Sequence, residues 1–194
     1  MIDRIMGAFT FRKGVYAEVE KDESFTQSAW LIVAVVAFLS SLGRSANIAS
    51  SHGFVSLIIA LLINTFFALL GFAVAAFIIS WVGKAVFGAE VDFNEMVRVL
   101  GLAYVWRVIG FFGVFAAISD ALTCVLAPVT FVAAILGIIA WLLAIKEALD
   151  LDWFKTIVTI ILGWIAGFII GILSSVVLGI IGITATGIGN IFTG

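Results

Sequence analysis

Charge is scarce in this sequence of 194 residues, since Asp, Glu, Lys and Arg make up 11% of it and hydrophobic residues 64%. A soluble domain has about a quarter charged residues and about half apolar ones, so water is not the main solvent of this chain. Cysteine and histidine occur once each, as Cys124 and His52. A lone cysteine excludes an intrachain disulfide, and the absence of clustered ligands argues against a zinc site.

Groupings of residues that carry out catalysis are also missing. No serine lies in a nucleophile-elbow pattern, and no histidine occurs within the apolar segments to activate one. The sequence has neither a phosphate-binding glycine loop nor a dinucleotide-binding fingerprint. We therefore expect no enzyme activity, no metal and no cofactor.

Long apolar segments are what the sequence has instead, and they predict an all-α, polytopic membrane helix bundle of about five transmembrane helices. The predicted spans are residues 27–49, 54–82, 96–119, 121–145 and 156–183. They form one membrane domain, residues 27–183, which is followed by a glycine-rich tail, residues 184–194.

The first 26 residues are more polar and form a lead-in to the first span. Ile2, Ile5, Met6 and Phe9 recur with the spacing of one helix face. This pattern predicts a short N-terminal amphipathic helix that lies on the membrane surface on the cytoplasmic side.

The basic residues predict the orientation of the bundle, because cytoplasmic segments retain an excess of Lys and Arg. With a cytoplasmic N-terminus, that side carries Arg4, Arg12, Lys13, Lys21, Lys84, Arg98, Lys146 and Lys155. Only Arg44 is then clearly at the outer interface. We expect a prokaryotic cytoplasmic membrane protein with its N-terminus inside and its C-terminus outside.

Arg107 is the charge that most needs an explanation, since a cation inside the bilayer costs several kcal/mol unless it is paired or reaches the headgroups. An α-helix would place it roughly 13 Å beyond Arg98, with its side chain leaning back towards the cytoplasm. Two interpretations stay open. In the first, Arg107 is structural and either reaches the interface or pairs with Glu147. In the second, it anchors a lipid phosphate. The predicted lipid or ion-pair site comprises Arg107, Glu147, Arg98 and Tyr104.

Small residues recur at every fourth position of the fifth predicted span. The row consists of Gly163, Gly167, Gly171, Ser175 and Gly179. Such a row lets another helix approach closely, either within the bundle or as a seam between copies or with another membrane protein. Asn64, in the second span, should face protein as a hydrogen-bonding strut.

Several motifs, read in order, resemble one known family. They are Gly14-Val-Tyr-Ala-Glu-Val-Glu20, Thr26-Gln-Ser-Ala29, Arg98-Val-Leu-Gly-Leu-Ala-Tyr104, Ala144-Ile-Lys-Glu-Ala-Leu149 and Ile161-Leu-Gly-Trp164. The chain resembles the bacterial branch of the Yip (Ypt-interacting protein) domain family over residues 14–168. Leu102 stands where the family often has tyrosine, and Tyr104 follows two places on.

The resemblance implies a five-span bundle with a cytoplasmic N-terminus. Eukaryotic relatives act in vesicle traffic and contact Rab-type GTPases through a longer N-terminal region. The lead-in of this chain is short, so GTPase binding is not carried over to it.

Two functions follow as hypotheses. The first is a non-enzymatic scaffold or adaptor that organises lipid or membrane-protein partners, and it predicts a tightly packed interior. The alternative is a small transporter, channel or lipid-moving protein that uses a groove around Arg107, together with Asn64 and Arg44. The expected partners are membrane lipids, and also the protein itself or another membrane protein through span five. Nucleic acid is not expected as a partner.

Overall fold

A computed structural model describes residues 1–116 and 118–193, with the backbone alone for residues 47, 49–52, 116, 120, 123 and 182–193. The elements in chain order are α1 (Ile2–Phe9), α2 (Val15–Lys21), α3 (Phe25–Phe87), α4 (Phe93–Ala103), the 3₁₀ helix η1 (Tyr104–Phe112), α5 (Gly113–Ala116), α6 (Asp120–Leu149) and α7 (Trp153–Thr193). The predicted all-α class is confirmed. The His52 side chain, Ala117 in the third predicted span and Gly194 in the predicted tail lie outside the described part.

Five helical stretches are long and apolar enough to cross a bilayer. They are Phe25–Ala46, Gly53–Phe87, Phe93–Phe115, Cys124–Leu149 and Trp153–Ile181, and we call them spans one to five. Spans one and two are continuous within α3 except at Gly53, where φ is 82°. Glycine has no Cβ and adopts this left-handed conformation without strain, so the chain changes direction there. The helix bundle predicted from hydropathy is therefore present.

The lead-in forms two short helices, and the predicted amphipathic helix is confirmed as α1. Arg4 pairs with Glu18 at 3.1 Å and with Asp22 at 2.6 Å, which links α1 to α2. Arg12 adds pairs with Asp3 and Glu18. Ala8, Val15 and Val19 belong to the bundle core. The lead-in is thus packed against the bundle and does not stand apart from it.

Span three starts at a well-defined N-cap. The Asp92 side chain accepts a hydrogen bond from the Glu95 backbone N–H at 2.7 Å, and the Glu95 side chain accepts one from Asp92 N–H at 2.7 Å. This capping box satisfies two helix-end donors that would otherwise lack a partner. It fixes the first turn of α4, and with it the position of Arg98.

Spans one and three pack through small residues. A Cβ on Gly101 would lie 2.8 Å from the Ala29 Cβ, and one on Gly110 would lie 3.0 Å from the Ser40 Cβ. A Cβ on Gly113 would lie 2.7 Å from the Gly43 carbonyl oxygen. Missing side chains allow this close approach, which is typical of membrane helices. We call this contact the span one–three seam.

Asn64 connects three spans. Its amide nitrogen donates to the Ser45 hydroxyl at 3.0 Å, and its amide oxygen accepts from the Ser174 hydroxyl at 3.2 Å. The side chains of all three residues are buried. The predicted strut is confirmed, because a polar group in hydrocarbon requires such partners.

Candidate functional site

Span three changes from α-helix to 3₁₀ helix at Tyr104, and this change determines which side chains share a face. A 3₁₀ helix has about three residues per turn, so residues three apart lie one above the other. Tyr104, Arg107, Gly110 and Gly113 therefore form one row, and all four line the same cavity. A 3₁₀ helix also rises about 2 Å per residue instead of about 1.5 Å. Arg107 consequently lies farther from Arg98 than an α-helix would place it.

Arg107 rests on Tyr104. Its Nη1 donates to the Tyr104 hydroxyl oxygen at 3.3 Å, and its Cζ lies 5.2 Å from the centroid of the Tyr104 ring. Tyr104 is 1% exposed and is itself held edge-on by the Phe72 ring at 5.3 Å. The buried tyrosine therefore directs an exposed guanidinium into the cavity.

Arg44 is the second cation of this site. It follows Gly43, whose backbone is in close contact with Gly110 across the span one–three seam. Both arginines line the cavity. Among the described side chains, no carboxylate forms an ion pair with either arginine.

The cavity has a volume of about 910 Å³ and receives side chains from all five spans. Its polar lining residues are Ser40, Arg44, Asn64, Tyr104, Arg107, Ser174 and Ser175, and none of its lining residues is Asp or Glu. The remaining walls are apolar or glycine, including Phe67, Phe72 and Trp141. The site is therefore a mainly apolar cavity with two positive charges that no described carboxylate neutralises.

The rim of the cavity lies on the outer face of the bundle. Ile138, Trp164 and Phe168 belong to the rim and are 45%, 43% and 72% exposed. Large apolar side chains on the outside of a membrane bundle face lipid tails. We therefore expect the cavity to be open to the lipid tails between these side chains.

The small-residue row of span five lines this cavity along most of its length. Gly163, Gly167, Gly171 and Ser175 are lining residues. A Cβ on Gly163 would lie 2.6 Å from the Ile79 side chain, whereas one on Gly167, Gly171 or Gly179 would meet nothing within 4 Å. Close packing by the described residues of this chain therefore occurs at Gly163, and the next two glycines border open space. A seam between copies stays a prediction.

A family model of the Yip1 domain matches residues 6–175. The chain belongs to the Yip1 domain family. The match covers the lead-in and the described cavity lining from Ser40 to Ser175, and it confirms the family predicted from the order of the motifs. No curated protein and no solved structure matches the chain.

Within this Yip1 domain, Arg98 lies apart from the cavity and holds the lead-in. It is 5% exposed, and its Nε donates to the Glu20 carbonyl oxygen at 2.9 Å. Its Nη2 donates to the same oxygen, and its Nη1 donates to the Thr26 hydroxyl at 3.3 Å. Arg98, a residue of the predicted site, is therefore a structural anchor in this geometry.

Glu147 is also separate from Arg107. It is exposed near the end of α6, and its charge acts on Tyr16 of α2. Burial, with a smaller contribution from Glu147, raises the pKa of the Tyr16 hydroxyl above its ordinary value. The structure thus brings Arg107 together with Tyr104 and places Arg98 and Glu147 near the lead-in.

Trp106 is a functional candidate that the sequence reasoning did not single out. Its indole N–H donates to the Ala8 carbonyl oxygen at 3.3 Å, and its ring contacts Phe9 and Phe11 at centroid distances of 5.1 and 5.6 Å. Trp106 also lines the cavity. Trp106 of the Yip1 domain therefore contacts the lead-in and also lines the cavity. Within the described residues, no three His, Cys, Asp or Glu side chains are grouped to hold a metal ion.

Proposed function

We propose that this Yip1 membrane protein handles lipid by admitting a lipid molecule from the bilayer into its cavity. The observation that carries the proposal is an apolar cavity with exposed apolar residues in its lining and two arginines that pair with no described carboxylate. A cation at membrane depth marks a functional site by default. An amphiphilic lipid suits both the arginines and the apolar lining, since its headgroup contacts the arginines and its chains contact the apolar wall.

The size of the cavity supports this function. Its volume of about 910 Å³ lies near the upper end of the range of about 300–1,000 Å³ for ligand sites. A headgroup and the adjoining parts of the chains are enclosed, and the chain ends extend through the rim between Ile138 and Phe168 into the bilayer.

The scaffold or adaptor hypothesis stays a prediction and ranks second. It expects a tightly packed interior, whereas the described residues enclose a large open volume. Solute transport would require polar groups along a continuous path. Here the polar side chains form a patch in a mainly apolar lining, which favours lipid over a polar solute.

The test is to block the cavity from span five. Gly167→Phe and Gly171→Phe each place a ring in the space beside the arginines, while Gly179→Phe places the same ring on the same helix outside the cavity lining. Each variant is purified, and its tightly bound lipid is counted by native mass spectrometry. We expect the wild type and Gly179→Phe to retain lipid through stringent detergent washing, and the two cavity variants to lose it.

Equal lipid content in all four proteins would contradict the proposal, provided that they elute as the same species and melt at similar temperatures. The same set tests the seam between copies. Loss of a dimer in Gly179→Phe as well as in the cavity variants would indicate that the row joins two chains.

We also propose that the end of the bundle carrying the lead-in is cytoplasmic. The exposed Lys13 and Lys84, together with Lys146, supply positive charge to the loops and helix ends of that side. In a Cys124→Ala background, Lys13→Cys should react with an impermeant maleimide only after cells are opened, and Ile118→Cys should react in intact cells. The reverse pattern would refute this orientation.

A further inference from the structure

We propose that Arg44 and Arg107 together form a binding site for the phosphomonoester headgroup of an anionic lipid. This inference rests on the proposed function and adds the chemical class of the ligand. It concerns the described pair of guanidinium groups in the cavity and the Tyr104 hydroxyl beside one of them.

The cavity carries two positively charged side chains. Arg44 and Arg107 line the same cavity, and no described carboxylate pairs with either. Two like charges beside an apolar wall are costly unless an anion or water offsets them. The described hydrogen-bond partner of Arg107 is the Tyr104 hydroxyl, which accepts a hydrogen bond and is not a carboxylate. The site therefore has an excess of positive charge that an anionic ligand would neutralise.

The two guanidinium groups match a phosphate group in geometry and charge. A guanidinium group presents donors in a planar fork that binds phosphate oxygens in pairs, which gives both strength and direction. A phosphomonoester carries a charge of about −1.5 to −2 at pH 7, close to the two positive charges of the site. A phosphodiester carries one negative charge and a zwitterionic headgroup none overall. The site should therefore rank these three headgroups in that order.

The apolar lining of the cavity favours a lipid over a soluble anion. Phe67, Phe72 and Trp141 line the cavity, and the rim opens among exposed apolar side chains. Inorganic phosphate would bind the arginines, but its transfer from water into an apolar cavity would cost desolvation free energy. A lipid reaches the same arginines from within the membrane, and its chains bury apolar surface at the wall.

The backbone positions the two arginines. The contact between Gly43 and Gly110 brings α3 and η1 together next to Arg44, and the three-residue period of η1 places Arg107 over Tyr104. Tyr104 acts as a positioning residue because it is 1% exposed and holds Arg107 by a hydrogen bond. The pair is thus held on helices and not on loops.

The experiment uses the full chain in detergent micelles. Phosphatidic acid, phosphatidylglycerol and phosphatidylcholine with identical chains are titrated, and bound lipid is counted by native mass spectrometry. The variants are Arg44→Gln, Arg107→Gln, the double variant and Arg107→Lys. Lys84→Gln is the matched control, since it removes an exposed positive charge that does not line the cavity.

We expect phosphatidic acid to bind most tightly and phosphatidylcholine least. Each glutamine substitution should weaken phosphatidic acid binding by about tenfold or more, the size of effect of losing a charge-assisted hydrogen bond. Arg107→Lys should lie between the wild type and Arg107→Gln, because it keeps the charge and loses the fork. Lys84→Gln should bind as the wild type does.

Equal affinity for phosphatidic acid and phosphatidylcholine, or unchanged binding by the double variant, would overturn the headgroup assignment. If Gly167→Phe still abolished lipid binding in that case, the proposed lipid cavity would stand and only its charge preference would fail. If Gly167→Phe bound every lipid normally, the cavity itself would be refuted as the site. Complete competition by glycerol 3-phosphate would assign the site to a soluble phosphate and would overturn the lipid assignment.

Discussion

Gly43 of α3 lies so close to the carbonyl group of Gly110 in η1 that no Cβ fits at position 43. The approach is made from backbone to backbone, so neither side can relieve a clash by changing a rotamer. Arg44, the residue after Gly43, lines the same cavity as Arg107. The same glycine therefore serves the packing of two spans and the geometry of the charged site.

Substitution of Gly43 by alanine should destabilise the bundle. Overpacking at a closely packed contact costs about 1–3 kcal/mol, and this exceeds the helix propensity of about 0.5–1 kcal/mol that alanine regains. The measurement is the melting temperature of the purified protein, and we expect it to fall for Gly43→Ala. Gly71→Ala is the matched control on the same helix, because its Cβ would meet the Ile170 side chain at an ordinary 3.5 Å. Gly71→Ala should melt at or above the wild-type temperature, and equal melting of both variants would contradict the seam.

The bundle could be predicted from sequence because hydropathy reports the lipid environment directly. Five apolar stretches and the spacing of Ile2, Ile5, Met6 and Phe9 are local signals, and each corresponds to a described helix. The expectation for Asn64 also succeeded, because a polar side chain in hydrocarbon has few alternatives to a protein partner.

The site was harder to predict, because it depends on a change of helix type. In a regular α-helix a row with three-residue spacing turns by about 60° at each step, so Tyr104 and Gly113 would lie on opposite faces. The 3₁₀ helix η1 keeps Tyr104, Arg107 and Gly110 in one row, and hydropathy does not distinguish the two helix types. A signal was present: Gly101, Tyr104, Arg107, Gly110 and Gly113 recur every three residues. The role of Arg44 could not be predicted from its neighbours in sequence, since it depends on the contact between two spans that are far apart in the chain.

The anchoring role of Arg98 predicts a local effect of its removal. Arg98→Gln should detach α2, because a buried guanidinium that binds the Glu20 carbonyl oxygen twice would lose its hydrogen bonds. Hydrogen bonds to charged groups contribute about 1.5–3 kcal/mol, so the protection factors of the Val15–Lys21 amides should fall by about tenfold or more in hydrogen exchange.

Arg12→Gln provides the comparison for this effect. Arg12 pairs with Asp3 and Glu18, but its side chain is 40% exposed. Exposed ion pairs contribute about 0–1 kcal/mol, so we expect a small loss of protection. A larger loss in Arg12→Gln than in Arg98→Gln would show that the surface pairs, and not the buried arginine, hold the lead-in.

Removal of Asn64 should loosen three spans at once. Asn64→Ala deletes the hydrogen bonds to Ser45 and Ser174, and each bond of this kind contributes about 0.6 kcal/mol in a membrane bundle. We expect destabilisation of about 1 kcal/mol or slightly more in a denaturant titration. Ser80→Ala is the control, since the Ser80 hydroxyl donates to the Phe77 carbonyl oxygen within its own helix. Destabilisation by Ser80→Ala as large as that by Asn64→Ala would contradict the strut.

The packing of the lead-in should depend on pH through Glu20. Partial burial, followed by repulsion from Glu95, raises the pKa of Glu20 above its ordinary 4.5. A raised carboxyl pKa means that the packed state binds the proton more tightly than the detached state does. Its contribution is therefore complete below pH 4.5 and is lost as the pH rises through the raised value.

The contribution of Asp22 to the packing of the lead-in changes with pH in the opposite direction, and it does so in a lower range of pH. Hydrogen bonds from Ser24 and Arg4 lower the pKa of Asp22 below its ordinary 3.8, so its contribution is lost only under more acidic conditions. As the pH falls from neutral towards 4.5, Asp22 stays ionised, so Glu20 sets the slope in this window. We expect the protection factors of the α2 amides, corrected for intrinsic exchange, to rise as the pH falls across this window.

Glu20→Gln tests the assignment of this pH dependence. Arg98 binds the backbone carbonyl of residue 20 and not its carboxylate, so the substitution leaves that anchor in place. It should remove the slope and give high protection already at pH 7, whereas Glu23→Gln, at an exposed position nearby, should keep the slope. An unchanged slope in Glu20→Gln would assign the pH dependence to another group.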